Sequence, residues 1–380
     1  MGGAERQVVD LADAFAELGH EVVLTYLTGP VQLRPVSTAV RVVPINMSKR
    51  PLGAIRALRL FAGLVKGFRP DIVHSHMVHA NLFTRFARLF IALPWLINTA
   101  HSTNEGGWWR MCAYRLTDSL ADLSTNVSHR AVTAFERRRA VPFGRMKVVH
   151  NGIDVKKYSY SSAERVRIRT ELGLGEADSL VLAVGRLLPP KDYPCLIRAA
   201  AALLERQIDA VVVVVGEGPL RNQLVSMMQA EGLGVSQFRL LGLRRDIPSL
   251  MSAADVFVLP SAWEGFGLVV AEAMSCERVV VATDCGGVAE VVNDCGFLVR
   301  PRDAEGLADA LQEALTLSRE DKVALGSRAR ARICEHFSIE STVEKWMDVY
   351  NEMNVMRVSG ESGIWGGKRV RHMCSISALI

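Results

Sequence analysis

Two glutamates eight positions apart, Glu264 and Glu272, stand in the run Ser261-Ala-Trp-Glu-Gly-Phe-Gly-Leu-Val-Val-Ala-Glu-Ala-Met274. The stretch Ala253 to Leu259 ahead of them is largely apolar and stops at Pro260, as a buried parallel strand does. Gly265 and Gly267, on either side of Phe266, let backbone approach a ligand closely, and Leu268 to Cys276 is helix-compatible. One carboxylate therefore sits on a loop at the carboxyl end of a strand, where open α/β sheets bind ligands, and the other lies on the first turns of the next helix. The free N–H groups around Gly267, Leu268 and Val269 favour an anion, so a phosphate fits between the two acids. Acids that accept from hydroxyls beside amides that hold a phosphate suit recognition of a phosphorylated polyol.

The matching cations lie upstream. Ser179 to Val184 is a second buried strand, and it runs into Gly185-Arg186-Leu-Leu-Pro-Pro-Lys191-Asp192. Arg186 can fork onto a diphosphate and Lys191 can add a point charge from the same loop. Taken alone, these two are as readily surface cations, and glutamates at a helix start are commonly a helix-dipole device. Both features, each following a buried strand, favour a nucleotide-sugar site.

The ordered set Gly185-Arg186, Lys191 and Glu264-x7-Glu272 resembles family 4 of the retaining glycosyltransferases. Asn151-Gly-Ile-Asp154, Val215-Gly216-Glu-Gly-Pro219, Leu241-Gly-Leu243-Arg244-Arg-Asp-Ile-Pro248 and Asp71-Ile-Val-His-Ser-His76 match as well, and the likeness covers roughly residues 2 to 353. The wording of 71–81 and 101–127 is most similar to enzymes of bacterial O-antigen or capsular polysaccharide synthesis. The resemblance implies α/β architecture: two doubly wound, Rossmann-like domains around a cleft, the GT-B fold. It implies transfer of a sugar from a UDP-sugar or GDP-sugar to a glycan or polyprenyl-diphosphate-linked acceptor. Glu264 would hold hydroxyls of the transferred sugar and Glu272 the ribose hydroxyls. Leu243 and Arg244 would flank the base, Gly216 would belong to the donor pocket, and Gly2 and Gly3 would pass close to the diphosphate or acceptor. His101, after the strand Trp95–Thr99, would contact the sugar or nearby acceptor, with His76 and Glu105 on the acceptor side. Arg186 and Lys191 would stabilise charge growing on the departing phosphate. There is no Asp-x-Asp sequence, so we expect no metal ion and no other cofactor.

The 380 residues allow two domains, each able to bury a core, and 49% hydrophobic with 22% charged residues is a globular balance. No apolar run reaches the roughly eighteen residues that span a bilayer. Seven scattered cysteines without a C-x-x-C pair read as reduced cytosolic thiols. Residues 1–150 carry 19 Lys/Arg against 10 Asp/Glu, whereas 151–380 carry 26 against 30. The basic first half suggests an anionic partner. Nucleic acid is a poor one, because no reading helix or basic-aromatic strand appears. Lys49 to Lys66 can form a basic amphipathic helix with Leu52, Ile55, Leu58, Phe61 or Ala62, and Val65 on one stripe. It suits either an anionic membrane surface, on the inner face of the plasma membrane, or packing against the sheet.

Strand and helix alternate through both halves, giving domains at 1–152 and 153–338, with a helix at 339–356 returning to the first. Both ends depart from the family pattern. Met1 stands directly before Gly2-Gly3, so the strand expected to lead into these glycines is absent from the sequence; a central strand is not lost cheaply, so either the true start lies upstream or the first domain is damaged. Residues 357–380, with Gly-Gly-Lys-Arg-Val-Arg, read as a disordered basic tail. A non-catalytic remnant is accordingly the rival reading. A nicotinamide dehydrogenase is a poor one, since position 221 is Arg where G-x-G-x-x-G needs a third glycine.

Overall fold

The computed structural model describes residues 2–29, 33–48, 50–360 and 372–377, the last six and 354–360 as backbone only. The chain divides into two compact units, Met1–Gly152 with Ile339–Ile380, and Ile153–Ser338.

The first unit comprises α1 (Gly3–Glu17), β1 (Glu21–Tyr26), β2 (Arg41–Pro44), α2 (Pro51–Phe68), β3 (Ile72–His76), α3 (Met77–Ala87), β4 (Trp95–Ala100), α4 (Trp108–Thr117), β5 (Leu123–Asn126), α5 (His129–Arg137) and β6 (Met146–Val148). The second comprises α6 (Ser162–Glu171), β7 (Leu180–Val184), α7 (Tyr193–Glu205), β8 (Val211–Val215), α8 (Arg221–Ala230), β9 (Phe238–Gly242), α9 (Ile247–Ala253), β10 (Val256–Leu259), α10 (Leu268–Ser275), β11 (Val279–Thr283), α11 (Val288–Val292), β12 (Phe297–Val299), α12 (Ala304–Thr316) and α13 (Arg319–His336). The chain then adds α14 (Ile339–Gly360) and β13 (His372–Ser377) to the first unit.

The second unit's six-stranded sheet has the order β12-β11-β10-β7-β8-β9, all parallel. Its central strands β10, β7 and β8 are apolar on both faces, since helices cover both, and every residue of β8 and β11 is buried. The chain builds from β7 outward to β9, returns beside β7 with β10, and builds the other way. Strand order therefore reverses between β7 and β10, the topological switch point at which such sheets open a crevice at the strands' carboxyl ends.

The first unit's sheet reads β2-β1-β13-β3-β4-β5-β6 and is parallel throughout. Here the sequence reading needs correction. Within the expected disordered tail at 357–380, His372–Ser377 is a central strand, pairing with β1 from Glu21↔His372 to Tyr26↔Ser377 and with β3 from Ile72↔Met373 to His76↔Ser377. α14 also continues beyond 357, while residues 361–371 and 378–380 lie outside the described residues. The sheet does not lack the strand whose absence motivated the remnant reading.

α14 packs on α1, and its Val343, Trp346 and Tyr350 share a core with Val8, Leu11, Phe15, Leu24 and Ile72. The proposed apolar stripe of α2 is split. Phe61 and Val65 are buried with Ala57 against the sheet, whereas Leu52 is 80% and Ile55 49% exposed beside Arg56 and Arg59. Among the described residues no helix is long and apolar enough to cross a membrane.

Candidate active site

In the second unit, the loops after β7 and β10 meet at the switch point. Lys191 ends a tight turn over Pro189–Lys191, fixed because two prolines preset φ and Asp192 then adopts φ 44°. Its Nζ lies 2.5 Å from Glu264 Oε1. Ser261 Oγ donates to the same oxygen at 2.7 Å, and the Ala262 N–H donates to the Pro190 carbonyl at 2.8 Å, tying the two loops together. Both partners of the ion pair are largely buried, with side chains 21% and 15% exposed. Glu264 Oε2 has no hydrogen-bond partner among the described residues.

Backbone fills the remaining sides. Gly185 donates to the Val215 carbonyl at 2.9 Å and Gly216 to the Gly242 carbonyl at 2.9 Å, so the loops after β7, β8 and β9 run in contact. A Cβ at Gly216, where φ is 152°, would strike the Gly185 carbonyl, and one at Gly286, where φ is 53°, would strike the Glu264 carbonyl. Glycine is required at both because backbone passes against backbone. Tyr193 OH donates to the Gly185 carbonyl at 3.0 Å and holds the cation loop from behind.

α10 starts at Leu268, after Gly267 in left-handed conformation, without a side-chain cap. Its first-turn N–H groups, those of Leu268 and Val269 included, have no acceptor within the helix and suit an anion. Glu272 lies one turn further along α10 and is partly exposed. Gly265 accepts from the Gly287 N–H at 3.1 Å. The Phe266 side chain faces away: it is 3% exposed and edge-on to Phe337, leaving only backbone for a ligand. Arg186 is exposed, as is Leu243 at 70%. The Arg244 guanidinium is committed to Asp246 and Glu171, which hold its pKa above the usual range. What Arg244 offers is backbone.

In the first unit, β3 and β4 present a histidine cluster. His74 and His76 are two apart on one strand, so their rings stack on one face, 4.0 Å between centroids. His74 Nδ1 is 2.8 Å from Tyr350 OH on α14, and its Nε2 is 2.7 Å from Thr99 Oγ1, which meets Thr125 Oγ1 at 2.7 Å. His76 Nδ1 meets His101 Nε2 at 3.1 Å. His76, expected at the acceptor side, is only 2% exposed and acts on His101 rather than on solvent. Burial lowers all three pKa values, that of His74 to about 3 and that of His101 to about 4, so the cluster is neutral. His101 Nδ1 and Glu105 Oε1 are buried without a partner. Burial pushes the Glu105 carboxyl up to about 7, against the His101 backbone N–H and Arg110, which hold it down. Gly2 is the N-cap of α1 and Gly3 its first residue. The structure thus joins Lys191 and Glu264 in one unit, and His76 and His101 in the other. Ser261 and Tyr193, which sequence reading missed, carried one signal each: Ser261 directly follows the strand-ending Pro260, and Tyr193 stands two residues after Lys191.

Two Rossmann-like α/β units, one with a cation–carboxylate pair at its switch point, define the GT-B class of sugar-transferring enzymes. The family model "Glycosyltransferase Family 4" matches residues 1–157, and "Glycosyl transferases group 1" matches 164–332. A UDP-Gal:alpha-D-GlcNAc-diphosphoundecaprenol alpha-1,3-galactosyltransferase of Escherichia coli is 29% identical over 314 residues, covering 77% of this chain and 78% of that protein. A D-inositol 3-phosphate glycosyltransferase of Corynebacterium glutamicum (strain R) is 30% identical over 390 residues, covering 92% of each. Among solved structures, Anabaena Alr3699/HepE in complex with UDP and glucose matches with TM-score 0.77 at 24% identity, covering 92% of this chain and 95% of that one. The chain belongs to glycosyltransferase family 4 and is a nucleotide-sugar glycosyltransferase.

Proposed function

We propose that this chain transfers a sugar from a UDP-sugar to a polyprenyl-diphosphate-linked glycan, with retention of anomeric configuration and without a metal ion, in the synthesis of a bacterial surface polysaccharide such as O-antigen or capsule. The observation that carries it is the Lys191–Glu264 pair at the switch point, beside the uncapped start of α10. As the bond from sugar to phosphate breaks, negative charge grows on the β-phosphate. Lys191, Arg186 and the amides of Gly267, Leu268 and Val269 stabilise that charge more in the transition state than in the ground state. Glu264 holds sugar hydroxyls through its unpartnered oxygen, Glu272 the ribose hydroxyls, and the backbone at Leu243 and Arg244 the base. Gly2, Gly3, Gly216 and Gly265 let backbone pass close to the substrates. Two cations do the work a bridging Mg²⁺ would otherwise do. His101 offers an uncharged imidazole at neutral pH, and Glu105 a carboxyl that is part protonated there, both on the acceptor side.

The E. coli relative's own substrates favour UDP over GDP in the donor and a lipid-linked acceptor. α2 fits that acceptor, because 51–68 contains no acid and exposes Leu52, Ile55 and Leu60 with Arg56, Arg59 and Lys66. Such a face suits peripheral binding to the anionic inner leaflet of the plasma membrane. The inositol-phosphate enzymes favour a soluble phosphorylated polyol as a second acceptor class. A nucleotide-release assay across UDP- and GDP-sugars, with EDTA present and with either acceptor, separates these readings. UDP release that needs the polyprenyl acceptor is the expected result. Release only with GDP-sugars, only with inositol phosphate, or only with added metal would refute the corresponding part.

A further inference from the structure

We propose that Ser261 is a positioning residue for Glu264, a reading that rests on the transfer function above. Ser261 is fully buried where β10 ends, and its Oγ donates to Glu264 Oε1 at 2.7 Å. The Lys191 ammonium takes the same oxygen from the other side at 2.5 Å. Two donors saturate the lone pairs of Oε1 and fix the carboxylate plane, so Oε2 is presented to a sugar hydroxyl in one direction. The serine is itself held, because Thr283 Oγ1 at the end of β11 donates to its carbonyl at 2.6 Å. The arrangement matters most when donor binds. A diphosphate draws the ammonium towards itself, and the serine hydroxyl is then the donor that keeps the carboxylate aimed.

The test is Ser261→Ala, read by UDP titration calorimetry and by UDP-sugar turnover, alone and combined with Glu264→Gln. We expect UDP affinity within about twofold of the parent, kcat/KM for the UDP-sugar lowered about 10- to 100-fold, and no further loss from Ser261→Ala once Glu264 is Gln. Equal losses of UDP and UDP-sugar affinity would show a merely structural serine and overturn the proposal, as would full activity. A parent chain that binds no UDP would overturn the transfer function itself, visibly before any variant is compared.

A second observation independently carries another inference. The two sheets share one winding. In the second unit β7 is the strand from which the order runs outward both ways, and α7 follows it. In the first unit that place, between β1 and β3, belongs to β13. Its partners Tyr26 and His76 are the last residues of their strands, so Ser377 lies at the sheet's carboxyl end. α1 runs back to the amino end of β1, which puts Gly2 and Gly3 at the carboxyl end as well, and α1 contacts β13. We infer that β13, Gly2-Gly3 and α1 together form the strand–glycine turn–helix unit at the centre of this sheet: β13 supplies the strand, Gly2-Gly3 the turn and α1 the helix.

Hydrogen exchange on the full chain tests this. A central strand gives its amides to neighbours on both sides, so amides of 373–377 should exchange at least about 1000-fold more slowly than in an unstructured peptide, as those of β3 and β4 do. Exchange at the unstructured rate would overturn it. Ile376→Pro removes one ladder N–H from a central position and should abolish that protection and lower the melting temperature, whereas Ile376→Val should leave both unchanged. An unaltered melt of the proline variant would also refute the inference.

Discussion

Replacing Lys191 with Ala removes the charge on which the proposed chemistry depends most. A unit charge about 4 Å from a phosphate oxygen, in surroundings of effective dielectric near 20, contributes about 4 kcal/mol. The ammonium is not idle in the free protein: it lies 2.5 Å from Glu264, and a share of its field is already spent there. The net loss at the transition state should therefore fall at or below that figure, about 2.7–4 kcal/mol, which is 10²- to 10³-fold in kcat. Stability should fall as well, without unfolding the protein. The pair is largely buried, at 21% and 15% exposure, so the cost of losing one partner lies below the about 3–5 kcal/mol of a fully buried pair, and Ser261 remaining on Glu264 reduces it further. Lys191→Arg keeps the charge but not the compact ammonium, and should fall in between. The assay is UDP release from UDP-sugar with saturating acceptor, beside a thermal melt of each variant. A folded Lys191→Ala protein with kcat within about threefold of the parent would refute the reasoning.

Glu272→Ala should weaken UDP about 10- to 100-fold by calorimetry, because one carboxylate accepting two hydroxyls is worth about 1.5–3 kcal/mol. Gly286→Ala forces a Cβ against the Glu264 carbonyl at a φ of 53°, so kcat should fall at least about tenfold while the rest of the second unit stays folded by circular dichroism. Glu105 titrates near 7 when folded and near 4.5 when unfolded, so between those values the unfolded chain is the more ionised and stability is lost as pH rises. Glu105→Gln should therefore gain on the parent between pH 5 and 8, by at most about 3 kcal/mol, in paired denaturant titrations. The buried histidines have lowered values, so their contribution disappears instead as pH falls from 6.5 towards 4, and the parent–variant difference cancels it.

Much of this fold is legible because parallel strands under helices are apolar on both faces: β7 is Leu-Val-Leu-Ala-Val, β10 is Val-Phe-Val-Leu, and β11 is Val-Val-Val-Ala before Thr283. Glu264, Lys191 and the glycines could be placed at strand ends for the same reason. Strand order is another matter, since no residue announces which neighbour a strand takes, and the switch point between β7 and β10 emerges only from pairing. β13 is the clearest case. His-Met-Cys-Ser-Ile-Ser is short and only half apolar, it follows a Gly-Lys-Arg run, and its stability comes from β1 and β3, more than three hundred positions away. α13 is hard to read from sequence because its charged residues surround a thin buried line of Gly326, Ala329 and Ile333. The burial of His76 was hidden by its place at a strand end, where the packing of Trp346 and Tyr350 around its neighbour His74 comes from α14.

The most direct measurement is a crystal structure of the full chain with an intact UDP-sugar. Diphosphate oxygens should lie within hydrogen-bond distance of Lys191 and Arg186 and the ribose hydroxyls on Glu272, with a sugar hydroxyl on Glu264 Oε2. A nucleotide bound elsewhere, with Lys191 still paired only to Glu264, would contradict it.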